Sequence, residues 1–150
     1  MKIPYASATT GQGREKEIRD TLRGVGASAV GFMVDDDNDQ IIAQFRLHGR
    51  EITIPIRVNA YAEAWLKETP HNKRMKSSLD QHKAKARRQA ELAAWAIMAD
   101  WIKAQAAMMA VGFIDTDAAF LSHIHLPDGR RVGDAITSGT DPIALPKPTT

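Results

Sequence analysis

At 150 residues and 43% apolar content the chain suits a single domain, large enough to bury about two-thirds of its unfolded surface. It contains no cysteine, which excludes a disulfide framework, thiolate metal sites and cysteine nucleophiles. No apolar run approaches the roughly 20 residues that span a bilayer, and Met1 to Ala6 lack a secretory apolar stretch, so a cytoplasmic protein without a membrane partner is expected.

Residues 1 to 11 read as an irregular arm. Ile18 and Leu22, four apart, predict a helix over Arg14 to Arg23, which Gly24 and Gly26 end. Val30, Phe32 and Val34 then alternate as a strand, followed by the acidic turn Asp35-Asp36-Asp37-Asn38-Asp39. The second strand, Gln40 to Leu47, sets Ile41, Ala43, Phe45 and Leu47 on one face. After the turn His48-Gly49-Arg50, the third strand runs from Glu51 to Val58, and Pro55, which lacks a ladder donor, predicts a sheet edge.

Asn59 is expected to cap a helix from Ala60 to Glu68, with Tyr61 and Trp65 on one face and Pro70 beyond its end. Residues 70 to 77 read as a basic linker. Ser78 with Gln81 resembles a capping box, and no Gly or Pro follows before Gly112, so one helix of 33 residues, about 50 Å long, is predicted. Beyond Ala90 it carries two apolar stripes: Ala90, Ala94, Ile97, Trp101, Ala104, Met108 and Val111, and Leu92, Trp95, Ala99, Ile102, Ala106 and Met109. A helix apolar over most of its circumference belongs in the core against the sheet, the alternative being a homo-oligomer seam through the same helix.

Asp115 is expected to cap a short helix through Leu121, Leu126 to Arg130 to form a turn, and Val132 to Ile136 a last helical turn. The expected fold class is α+β, a three-stranded antiparallel meander packed on a long C-terminal helix with short flanking helices. One domain would cover residues 1 to 136, with a flexible Pro-rich tail over 137 to 150.

Chemistry-bearing constellations are sparse. The Asp35 to Asp39 cluster fails the EF-hand pattern, since the sixth residue is Gln40 and the twelfth Arg46, and reads as a solvated turn. His123 and His125 lack a second fixed ligand pair, so no metal is expected. Asp35 or Asp36 with Glu51 suggests the acidic pair of a nuclease, but Thr53 stands where such a site needs Lys. No GxSxG, phosphate-binding loop or dinucleotide fingerprint occurs, so neither catalytic residues nor a cofactor are predicted, and a nuclease-type enzyme ranks last among the readings.

Charge is the strongest signal. Residues 71 to 88 hold Lys73, Arg74, Lys76, Lys83, Lys85, Arg87 and Arg88 against Asp80 alone, a local +6, so the rest of the chain carries −4 of the net +2. Such asymmetry marks an anionic partner, and these seven cations are the predicted nucleic-acid-binding residues, for DNA or RNA, with backbone donors at Leu79 to Gln81 assisting. The bland alternative is a solvated helix end. An acidic host protein is the other partner class.

The helix, three strands and then Lys83-Ala84-Lys85-Ala86-Arg87-Arg88 are similar in outline to a double-stranded RNA-binding domain. The chain departs from that pattern by the extra helix at Ala60 to Glu68 and by the length of the basic helix. Met1-Lys2-Ile3-Pro4-Tyr5-Ala6-Ser7, Val30-Gly31-Phe32-Met33, the basic linker after Trp65 and Leu126-Pro127-Asp128-Gly129-Arg130 resemble a group of small tailed-bacteriophage proteins of no assigned function. That resemblance implies a phage accessory protein of the bacterial cytosol, acting in replication or recombination; the rival reading is a phage inhibitor that binds a host protein, such as a defence component, through the basic surface or the apolar helix.

Overall fold

A computed structural model describes residues 2–9 and 12–139. The elements follow in the order α1 (Gln12–Gly24), β1 (Ala29–Asp35), β2 (Gln40–Leu47), β3 (Arg50–Arg57), α2 (Val58–Glu68), α3 (Leu79–Ala110), α4 (Thr116–Phe120), a 3₁₀ turn (Leu121–His123) and α5 (Val132–Ser138). This is the α+β architecture expected. No helix among the described residues is long and apolar enough to cross a membrane.

The sheet is an antiparallel meander in the order β1-β2-β3. Its register places Val30, Phe45 and Ile52 side by side, then Phe32, Ala43 and Ile54, then Val34, Ile41 and Ile56, so one face of the sheet is continuously apolar. The β2–β3 connection is a two-residue turn with positive φ at both His48 and Gly49, the type I′ geometry that matches strand twist. β3 is an edge within the meander. Its start is bridged by a C-terminal segment, Ile124 pairing with Ile52 and the His125 N–H donating to the Glu51 carbonyl.

α3 lies at the centre, packed between α1 and α2 and against the apolar sheet face. Its buried positions change side along its length. His82, Ala86, Ala90 and Ala93 face inward first, and Met98, Ile102 and Ala106 do so later, on a different flank. Seven alanines are buried in α3, which allows its neighbours to approach closely without large side chains between the axes. The second predicted stripe is the more buried one. The first passes outside, because Ala104, Met108 and Val111 are exposed.

Local signals explain most boundaries. Ser78 and Gln81 form the capping box that starts α3, and the Asp115 carboxylate accepts from the Ala118 N–H to start α4. Asn59 does not cap α2. The helix begins at Val58, whose N–H donates to the Asp39 carbonyl across the β1–β2 turn, so tertiary contact satisfies what a side chain was expected to.

The N-terminal arm is stitched to the helices. Tyr61 Oη donates to the Pro4 carbonyl, Gln89 Nε2 to the Tyr5 and Ala8 carbonyls, and Tyr5 Oη to Asp100. Residues 137–138 complete α5, with Gly139 as its left-handed cap, so this last helix runs two residues past the expected Ile136. The rest of the Pro-rich tail lies outside the described residues.

Candidate nucleic-acid interface

The basic segment divides into a turn and a helix end, and both are pinned from beneath. The Asn72 carbonyl accepts from the Met75 N–H and its Oδ1 from the Arg74 N–H, which puts Lys73 and Arg74 at the apex of a turn. His71 Nε2 donates to the Ser77 carbonyl at 2.8 Å, closing the loop on itself. His82 Nε2 donates to the Thr69 carbonyl at 2.6 Å and ties the loop to α3. The two imidazoles face each other at 5.6 Å, and Trp65 of α2 lies 5.1 Å from His82. This aromatic cluster, buried at Trp65 and His82 and half-buried at His71, was not singled out in the sequence, where its members are 6, 11 and 17 positions apart. Only the placement of His82 in line with Ala86 and Ala90, at a spacing of four, hints that it points inward.

With His82 and Ala86 facing the protein, Lys83, Lys85 and Arg88 point to solvent, as do Lys73, Arg74 and Lys76 in the loop. Lys85 and Arg88, three apart, share one side of the helix. None of these six cations has a carboxylate partner among the described residues. By contrast, Arg14, Lys16, Arg19, Arg46, Arg50, Lys103 and Arg131 outside the segment each have one.

Arg87 stands apart from the other six predicted residues. Its guanidinium bonds Asp39 and lies 3.7 Å from Asp36 and 3.6 Å from Glu91. The hydrogen bond it donates to Asp39, and then the surrounding carboxylates, raise its pKa further above the ordinary arginine value. Arg87 thus fastens the acidic turn to α3. Gln81 N–H is likewise committed, donating to Ser78 Oγ, and Asp80 places a carboxylate in the first turn, so the α3 N-terminus offers an anion less than the sequence suggested.

The remaining constellations do not assemble. Asp35 is held by Asn38 and Gln40, which lower its pKa. Asp35 pairs with Gln40 at one end of the sheet and Glu51 with Arg46 at the other, six positions along the strand or about 20 Å, too far to share a metal. His125 lies between Thr53 Oγ1 at 2.7 Å and the Gly129 carbonyl at 2.9 Å. His123 instead turns to Arg131 and to the edge of Trp101. Burial, and then the Arg131 charge, lower the His123 pKa. Among the described residues no three His, Asp or Glu side chains are grouped as a metal site would require.

No protein-family model, curated protein or solved structure matches this chain. The reading of the site therefore rests on its own geometry.

Proposed function

We propose that this protein binds nucleic acid without sequence specificity, through Lys73, Arg74, Lys76, Lys83, Lys85 and Arg88. The observation that carries the reading is the contrast in pairing: cations elsewhere are mostly matched by carboxylates, while these six are exposed, contiguous and unmatched among the described residues. Unpaired ammonium and guanidinium groups neutralise phosphates and release condensed counterions, a contribution blind to base identity. The phage setting, replication or recombination in the bacterial cytosol, rests on the resemblance of the Met1–Ser7 and Leu126–Arg130 segments.

The test is a binding titration against duplex DNA, single-stranded DNA and RNA at several salt concentrations. Six neutralised phosphates give a log–log slope of about −5 on duplex and about −4 on single strands. Replacing Lys85 and Arg88 together by Ala should flatten the slope by nearly two. Arg23→Ala should not. The Arg14–Asp100 and Glu17–Lys103 pairs run α1 parallel to α3, which carries exposed Arg23 to the far end of that helix, roughly 30 Å from Lys85. Absence of binding at about 50 mM salt refutes the reading.

A second reading, an inhibitor that engages a host protein, is favoured by a different observation. At the far end of α3, Phe113 and Val111 are 76% and 63% exposed beside a concavity lined by His48, Met109 and Ala118, an apolar corner with no role in phosphate binding.

A further inference from the structure

Among the described residues, β1 is an edge of the sheet whose outer side no other strand pairs. The opposite edge is closed at Glu51–Ile52 by Ile124 and His125, and Pro55 removes a donor there. β1 has no proline, no lysine and no break in register, the usual devices that keep an edge from pairing. Two of its side chains, Met33 and Val34, are 60% and 56% exposed.

We propose that β1 pairs with β1 of a second copy of this chain, antiparallel about a two-fold axis at Phe32, extending the three-stranded sheet to six strands. Size favours this occupant. Ala29 and Gly31 leave a depression of about 360 Å³ on the open face of the sheet, floored by Ile42 and Gln44 and flanked by Met33. Across the axis Gly31 lies opposite the partner's Met33, so each flexible methionine covers the gap left by the other's glycine. On the core side Val30 meets the partner's Val34, a favourable cross-strand pair of branched side chains.

Charge favours it too. Asp35, the one charged residue of β1, falls opposite the partner's Ala29, and Ala29 pairs laterally with Arg46 of β2 on the same face. Arg46 is already matched by Glu51, so the gain at the seam is that Asp35 meets the small neutral Ala29 rather than a like charge, and the symmetry repeats the arrangement. Parallel pairing would instead set Asp35 beside Asp35.

The test is sedimentation of the full chain, treated with nuclease so that bound nucleic acid cannot bridge two copies. At about 100 µM, above the micromolar dissociation constant expected of a small interface, it should be a dimer. Gly31→Val fills the depression. A Cβ at Gly31 meets nothing within 4 Å, so the monomer should melt no lower, yet the dissociation constant should rise about tenfold or more. Met33→Lys, a charge on an exposed edge position, should do the same. A monomeric wild type overturns the proposal and leaves the edge to a strand of another protein. A dimer indifferent to both substitutions overturns it as well.

Discussion

Phe120 offers the sharpest test of how the layers are joined. It is 1% exposed, and its ring stands edge-on to Phe45 of β2 at 5.4 Å and to Trp101 of α3 at 5.6 Å, so one side chain joins the sheet, the central helix and α4. Phe120→Ala removes the buried ring and leaves a cavity, a change that costs about 3–5 kcal/mol. Phe120→Leu keeps much of the volume but loses both edge-to-face pairs, at about 0.5–1.5 kcal/mol each, and should cost roughly 1–3 kcal/mol. Urea denaturation reads both. With a slope of about 2 kcal/mol per molar, the alanine variant should unfold about 2 M earlier and the leucine variant about 1 M earlier. A loss below about 1 kcal/mol for alanine would refute the packing. Equal losses for the two variants would refute the contribution of ring geometry.

Gly133 lies inside α5, where alanine is ordinarily better by up to about 1 kcal/mol, yet a Cβ there would stand 2.9 Å from the Ser122 carbonyl oxygen. Gly133→Ala should therefore destabilise by about 1–3 kcal/mol in the same titration, and a stabilised variant would show that this approach is looser than described. His123 has a lowered pKa in the folded protein, so the unfolded chain binds its proton more readily, and stability should fall as pH drops through the ordinary histidine value near 6.5. His123→Gln should flatten the melting temperature between about pH 7 and 5, and an unchanged profile would sink the assignment. Asp117, whose pKa is lowered chiefly by its bond to Arg50, contributes above the ordinary carboxylate range, and that contribution is lost in acid. Melting curves of wild type and Asp117→Asn should converge below about pH 3. Arg87→Ala, in contrast to Arg88→Ala, should leave the salt slope of nucleic-acid binding unchanged, because Asp39 and Glu91 already match its charge.

The strands and the long helix were legible because their signals are local. Ile41, Ala43, Phe45 and Leu47 alternate in a two-residue period that only one pairing can bury, and Ser78 with Gln81 caps a helix wherever it starts. What escaped depends on residues far apart in the chain. Asn59 loses its capping role to a carbonyl 20 positions earlier, and Arg87 leaves the cationic surface because the sheet brings Asp39 beneath it. Ala104, Met108 and Val111 continue a stripe in the sequence, but α1 and α2 leave that flank of the helix open. Charge density was readable from composition. Which charges were already matched was not.

The N-terminal arm has a kinetic meaning. Its hydrogen bonds to Tyr61, Gln89 and Asp100 bridge sequence separations of 57 to 95 residues, whereas the meander closes through hairpins of a few residues. Loop-closure entropy delays contacts of that span until both partner helices stand in place, so the arm latches last in folding and releases first on unfolding. A chain emerging from the ribosome makes this arm before Tyr61, Gln89 and Asp100, the partners that hold it. Until α3 is complete, the arm waits for a surface that does not yet exist.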